Sequence, residues 1–261
     1  MTIVFAVIVS LSLLITGIGY AISNGQPDEN HHPYVCIILT RVGESWYYGS
    51  GVQISETVIV TAGHVTDGAE ELSIFFDSDA TTNPGWPIEG LTGMSYTHPY
   101  YSIGESPTLK DWISHDVGVI VLDSPHVLAE YGELPSENLV DELPMHGWVD
   151  QVGYGVQERA LYSEPPYGPP DWYNQFVRMY APAELIASNH KWGDEFLKTT
   201  ANPSKEKGGT CFGDSGGPIL VGGTDIVIGV TSWGTNYPCK GVSYSSRIDT
   251  VDILDFITSF L

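Results

Sequence analysis

Apolar residues along this chain come in short runs separated by turn formers. The segments "YVCIILT" (34–40), "SETVIVTAG" (55–63), "ELSIFF" (71–76), "VGVIVL" (117–122), "VDQVGYG" (149–155) and "DIVIGVTSW" (225–233) are strand-length and rich in Val, Ile and Tyr. Clusters of Gly, Pro, Asn and Asp bound them, a spacing that predicts an all-β sandwich or barrel. Helical periodicity is scarce. It is clearest in "DTVDILDFITSFL" (249–261), where Val251, Leu254, Ile257 and Phe260 recur at helical spacing after Asp249 as a candidate cap. A weaker candidate is "SENLVDEL" (136–143), and "LYSEPPYGPPDWY" (161–173) reads as a proline-rich loop. The first group of strands gives way to a second near residues 130–145, with no internal repeat.

Composition narrows the class. A chain of 261 residues with 42% hydrophobic content and 29 glycines can bury a proper core. Ten basic residues against 32 acidic ones give a net charge of −22. Such a surface repels phosphate backbones, which excludes nucleic acid as the expected partner, and it attracts basic substrates. The opening "MTIVFAVIVSLSLLITGIGYA" carries no charged side chain, and Gly19 and Ala21 supply the small residues of a cleavage site. Residues 1–21 therefore read as a secretory signal peptide. The alternative is an N-terminal membrane anchor, since the run is near bilayer-spanning length. Either places the body outside the cytoplasm. Three cysteines suit neither a disulfide-dense scaffold nor a zinc site, and Cys36 in "YVCIIL" reads as a small buried strand residue. The oxygen-rich "FFDSDATTN" (75–83) lacks the spacing of an EF-hand and reads as a solvated turn. No metal or cofactor is expected.

One stretch asks for a chemical explanation. In "GGTCFGDSGGPIL" (208–220), six of thirteen residues are glycine or proline, and they surround the single hydroxyl of Ser215. A serine becomes a nucleophile only when an oriented base removes its proton. The pattern also fits the nucleophile elbow of α/β-hydrolases, but those need a histidine after the serine, and the last histidine here is His190. The base must lie upstream. His64 ends the apolar strand "VIVTAGHV" among small residues, and Asp116 stands at the mouth of another strand, where a buried carboxylate needs a partner.

Taken in order, "TAGH" (61–64), "HDVGVIVL" (115–122) and "CFGDSGGP" (211–218), followed by "TSWG" (231–234), resemble the signature segments of trypsin-like (chymotrypsin-family) serine proteases. The likeness runs from about residue 22 to the C-terminus and extends to "THPYY" (97–101) and "VGYG" (152–155). It implies two six-stranded antiparallel β-barrels, about 22–135 and 136–248, with the active site between them and a C-terminal helix at 249–261. The family mechanism is a worked template of protein chemistry and is carried over here. Ser215 is then the nucleophile, His64 the base and Asp116 its orienting acid, with the N–H groups of Gly213 and Ser215 as the oxyanion hole. Gly209, Thr210, Ser232, Trp233, Gly234 and Gly241 are implied to bind substrate. Gly209 at the base of the S1 pocket, where trypsin-type enzymes carry Asp, favours a large apolar or aromatic P1 side chain over Lys or Arg. The resemblance pairs Cys211 with Cys239.

Two features depart from the family pattern. The usual disulfide beside the catalytic histidine is absent, with Val65 and Ser50 expected in its places. Activation is implied to bury a new N-terminus at Ile22 against Asp214, and "ISNG" begins directly after the expected signal cleavage at Ala21. The chain is thus expected to be a secreted, monomeric endopeptidase acting on protein or peptide substrates, with no membrane contact once the signal is removed. A catalytically inactive binding protein on the same fold is the rival, and an esterase or acyltransferase a third possibility.

Overall fold

The computed structural model describes residue 22 and residues 25–104, 112–156, 175–187, 194–201, 208–234, 239 and 241–261. The leader (1–21) and the proline-rich loop (161–173) lie outside the described residues. In chain order the strands of the first half are β1 (Gln26–Pro27), β2 (Val35–Val42), β3 (Ser45–Gln53), β4 (Val58–Thr61), β5 (Glu71–Phe75), β6 (Gly93–Thr97), β7 (Ser102–Gly104), β8 (Trp112–Ser114) and β9 (Gly118–Leu122). Those of the second half are β10 (Trp148–Gly153), β11 (Met179–Ala187), β12 (Phe196–Ala201), β13 (Pro218–Val221), β14 (Val227–Gly234) and β15 (Gly241–Arg247). The described residues also include the short α-helices α1 (Gly63–Thr66), α2 (Leu139–Glu142) and, after the last strand, α3 (Val251–Thr258), with a 3-10 turn at Ala80–Thr82.

Two antiparallel sheets carry the architecture. Strands β11-β10-β13-β14-β15-β12 close on themselves through the β11–β12 pair, forming a six-stranded barrel to which β1 adds at β11. The other sheet, β5-β2-β3-β4-β9-β6, curls without full closure, and a single bridge between Ile74 and Leu91 joins its edges. The all-β, two-lobed expectation holds, with one barrel closed and the other a curled half-barrel. The chain also enters through the second sheet, because Gln26 and Pro27 pair with Tyr180 and Met179.

The strands most apolar on both faces lie where two cores meet. Alternate residues of β2 go different ways: Val35, Ile37 and Leu39 join a core shared by both sheets and α3, while Cys36 and Ile38 fill the interior of the first sheet. Strand β4 repeats this with Val58 and Val60 against Ile59. A strand covered on both sides has no use for polar alternation, which is why "YVCIIL" reads as a continuous apolar run. Cys36 is fully buried, and burial pushes its thiol far above the ordinary range.

Helix α3 corrects two expectations. It starts after Thr250, and Asp249 instead accepts from Val140 N (2.8 Å) and from the Arg247 guanidinium (Nε 2.8 Å). Its buried face is Ile253 and Ile257, with Phe256 and Phe260 packed beside them, while Val251 is exposed. A stripe starting at Ile253 has the same period as one starting at Val251, so periodicity alone left the rotation open.

A buried cation ties the halves together. Arg178, fully enclosed, donates through Nε to Asp28 (2.8 Å), through Nη1 to the carbonyls of Val35 (3.0 Å) and Phe76 (2.9 Å) and to Tyr154 Oη (3.1 Å), and through Nη2 to Asn30 (2.8 Å). Asp28 also takes the ring of His32 and its main-chain N–H (3.0 Å). Burial works against its ionisation, but His32 and Arg178 prevail and hold its carboxyl below the usual range. A buried charge is tolerated only with such complete partnering.

Candidate active site

Strand β4 runs fully buried to Thr61, and the chain then turns through Ala62 into the single turn of α1, which bears His64. Gly63 is needed there: a Cβ would sit 2.8 Å from the Tyr101 ring and 3.2 Å from Asp116 Oδ1. Asp116 arrives from the tight turn before β9, in which His115 takes φ +49°. Its carboxylate is fully enclosed, whereas the His64 side chain is 29% exposed, so only the imidazole can meet a substrate. Three groups bind the carboxylate. His64 Nδ1 lies 2.8 Å from Oδ2 and 3.1 Å from Oδ1, His64 N donates to Oδ1 at 2.8 Å, and Ser232 Oγ donates to Oδ2 at 2.5 Å.

This arrangement fixes both electrostatics and tautomer. Burial opposes ionisation of Asp116, but the His64 charge, its ring hydrogen bond and the Ser232 hydroxyl outweigh it and keep the carboxyl below its ordinary range. Burial likewise resists protonation of His64, yet the adjoining carboxylate raises the imidazole above its usual value. With Nδ1–H committed to Asp116, Nε2 is the nitrogen left to accept a proton.

Ser232, expected to pair with substrate through its backbone, also carries a hydroxyl that lies on Asp116, beside a register shift between Thr231 and Trp233 in the β14–β15 ladder. A bulge of this kind is the usual device for re-aiming one side chain. Nothing in the sequence "TSWG" marks it.

The loop carrying Ser215 is pinned from both sides. Gly216 N donates to Thr231 O (2.8 Å) and Thr231 N to Gly217 O (2.9 Å), which stitches it to β14. Ser50 N donates to Ser215 O (2.7 Å), and Ser50 Oγ bonds Gly213 O (3.0 Å), which ties it to β3. Gly216 at φ +81° lies against Ala62, two residues before His64; a Cβ there would fall 2.7 Å from Ala62 N. Gly213 at φ +91° rests on Tyr48, whose ring would overlap any Cβ. The amides of Asp214, Gly216 and Gly217 all have backbone acceptors, while among the described residues those of Gly213 and Ser215 have none.

Asp214, just before the serine, is fully buried. Its carboxylate accepts from Gly155 N and Cys211 N, both at 2.8 Å. Burial outweighs these two amides and pushes its pKa up to about 7. Gly153 and Gly155 of "VGYG" form its cradle, and a Cβ on Gly155 would stand 2.5 Å from the carboxyl carbon. Ile22 is also fully buried, at φ +51°.

Cys211 and Cys239 are disulfide-bonded. The missing second bridge needs a correction, because Gly49, not Ser50, faces Val65. A Cβ on Gly49 would lie 2.8 Å from Val65 Cγ2, so the valine fills the space itself. Strand alternation sends Ser50 the other way, to Gly213 O and Tyr154 N (3.0 Å). Of the remaining candidates, Thr210 is buried, and Trp233 stacks on Tyr244 at 4.0 Å and 4°. Gly234 has open space where a Cβ would go, and Gly241 starts β15 at φ +103°, exposed to solvent.

A histidine gripped by a buried carboxylate at the seam of two β-sheets, beside a glycine-bounded serine, defines the class of serine-type hydrolases. Comparison with known proteins narrows it. The sequence model of the Trypsin family matches residues 22–257, and the chain belongs to that family. It is similar to Serine protease 1 of Drosophila melanogaster, 27% identical over 241 residues covering 90% of this chain and 84% of that one. It is 28% identical to Hypodermin-A of Hypoderma lineatum over 260 residues, 98% of this chain and 93% of the other. Among solved structures the fold is like that of HL collagenase (TM-score 0.66, 18% identity, 92% and 96% coverage). It is also like neuropsin, a serine protease of mouse brain (TM-score 0.61, 20% identity, 86% and 94% coverage). The chain is a serine-type endopeptidase.

Proposed function

We propose that the chain is a secreted endopeptidase whose catalytic triad is His64, Asp116 and Ser215. The observation that carries this reading is the grip of buried Asp116 on both the ring and the main chain of His64. Ser215 Oγ attacks the scissile carbonyl while His64 Nε2 takes its proton. The amides of Gly213 and Ser215, which have no acceptor among the described residues, receive the developing oxyanion. Collapse passes the proton from His64 to the leaving amine, and water then releases the acyl group by the same steps in reverse.

Specificity follows from the floor and walls beside the serine. With Gly209 at the base and no side chain on Gly234, the S1 pocket takes a large apolar or aromatic residue. Ser232, Trp233 and Gly234 at the end of β14 pair with the substrate as an added strand. Activation uses Asp214: an ammonium freed by cleavage before Ile22 ionises a carboxyl that burial otherwise holds at about 7. Signal removal at Ala21 then yields the active, monomeric form directly. The domain divides into a first lobe of about residues 22–135 and a second of about 136–248, with β1 reaching across to the second sheet.

The test is the intact mass of the secreted protein before and after a serine-reactive fluorophosphonate. A starting mass of Ile22 to Leu261, then one adduct that Ser215→Ala abolishes, supports the reading. The right mass with no adduct favours the inactive binding relative, and a retained leader refutes activation at Ile22.

A further inference from the structure

The two amides assigned to the oxyanion are separated by one peptide unit, and that unit is held at both ends. Its N–H, from Asp214, donates to Cys211 O (3.1 Å), and its oxygen, Gly213 O, accepts from Ser50 Oγ (3.0 Å). The units on either side are held through their oxygens: Phe212 O accepts from Val156 N (2.7 Å) and Asp214 O from Gly217 N (2.8 Å). A trans peptide points its N–H away from its C=O, so anchoring these two oxygens aims the N–H groups of Gly213 and Ser215 the opposite way.

Ser50 supplies the side chain among these holders. It is fully buried on β3, and its neighbours fix the direction of its hydroxyl. Tyr154 N donates to Oγ (3.0 Å), which leaves the hydroxyl proton for Gly213 O. The Ser50 main chain grips the same loop two residues further on, where its N–H donates to Ser215 O (2.7 Å). Gly213, at φ +91°, has no Cβ to restrict its rotation and selects no single orientation by itself. The bond to its oxygen makes the choice.

We propose that Ser50 is a positioning residue for the oxyanion hole, its hydroxyl holding Gly213 so that the Gly213 N–H faces the reacting carbonyl. This role rests on the endopeptidase reading, but the hold on Gly213 does not.

The experiment has two arms. In the secreted protein, Ser50→Ala is compared with the parent on succinyl-Ala-Ala-Pro-Phe p-nitroanilide and on the inhibitor acetyl-Ala-Ala-Pro-phenylalaninal. Ser215 Oγ adds to the aldehyde carbon, the Oγ proton passes to His64, and the aldehyde oxygen becomes the oxyanion. With one donor misaimed rather than deleted, kcat should fall about tenfold, less than the roughly hundredfold or more that loss of a donor costs. KM should stay within about twofold, because the ground state does not use the bond. Affinity for the aldehyde should fall about tenfold as well, while affinity for the matching alcohol, which forms no oxyanion, should hold. A serine that served stability alone would not separate aldehyde from alcohol.

The second arm needs no turnover. In the Ser215→Ala protein, adding Ser50→Ala should shift or broaden the Gly213 and Asp214 amide signals in NMR, as the freed peptide exchanges between orientations. Equal losses for aldehyde and alcohol, or amide signals that Ser50→Ala leaves unchanged, overturn the proposal. An inactive parent whose Gly213 signal still responds counts against the triad and supports the hold. Should Ser50→Ala not fold, Ser50→Cys, a weaker donor at the same place, is read in both arms with smaller changes of the same sign expected.

Discussion

Replacing Gly216 by alanine should unseat the nucleophile loop, and the geometry sets the scale. At φ +81° an L-residue is strained by about 1–2 kcal/mol. The new Cβ would also press on Thr61 Oγ1, on the carbonyl oxygen of Ser50 and, at 2.7 Å, on Ala62 N. Two of these are backbone atoms of the neighbouring sheet and cannot rotate away, so the overlap adds about 1–3 kcal/mol. Backing the loop off would stretch the 2.7 Å bond from Ser50 N to Ser215 O, worth about 1 kcal/mol. The total loss should be about 4 kcal/mol. Gly223→Ala is the control, because Gly223 has φ +73° but nothing within 4 Å, which leaves strain alone at about 1 kcal/mol. Urea melts of both variants in a Ser215→Ala background measure the difference free of self-digestion. In the active background, kcat/KM of Gly216→Ala should drop at least about a hundredfold, as for a displacement near 1 Å. The reasoning fails if Gly216→Ala melts no earlier than Gly223→Ala.

The same structure sets three further expected outcomes. The acid limb of kcat/KM should lie above about pH 6.5, the ordinary histidine value, because Asp116 raises His64 and catalysis needs it neutral; a limb at or below that value would contradict the assignment. In the Ser215→Ala protein the same proton stabilises the fold fully below about pH 6.5, and that stability should fade as pH rises through the raised value. Gly234→Ala, with open space around the new methyl, should leave stability within about 0.5 kcal/mol. It should nevertheless lower kcat/KM for Phe and Tyr at P1 far more than for Ala, as a substrate series would read. Arg178→Met should destabilise by about 3–5 kcal/mol in urea, since it leaves buried Asp28 with His32 alone and takes a donor from the carbonyls of Val35 and Phe76. In the wild type, the share of stability from Asp28 should be present above about pH 4 and lost as pH falls through its lowered value.

The short apolar runs announced the strands, and three ordered motifs announced His64, Asp116 and the Ser215 loop, because those residues sit in segments whose local chemistry is unusual. What stayed hidden depends on long-range register. The turn of Ser232 onto Asp116 comes from a bulge that no side chain signals. The pairing of Val65 with Gly49 depends on which face of β3 each residue occupies, and a shift of one position exchanges the faces. The glycines of "VGYG" were legible as a likeness, but their purpose, room for the Asp214 carboxyl, appears only when residues 153–155 and 214 meet.

The enclosure of Arg178 bears on the order in which the molecule assembles. Its partners reach it across sequence separations of 24 residues to Tyr154, 102 to Phe76, 143 to Val35 and 150 to Asp28. Until strands from both halves have gathered, the guanidinium keeps its water, since stripping it earlier would leave a bare charge. The last water therefore leaves only when both lobes are in register. Each lobe has an interior of its own, with Ile38 and Ile59 in the first and Leu185 and Leu197 in the second, and the knot is the part of the core that only their joining completes.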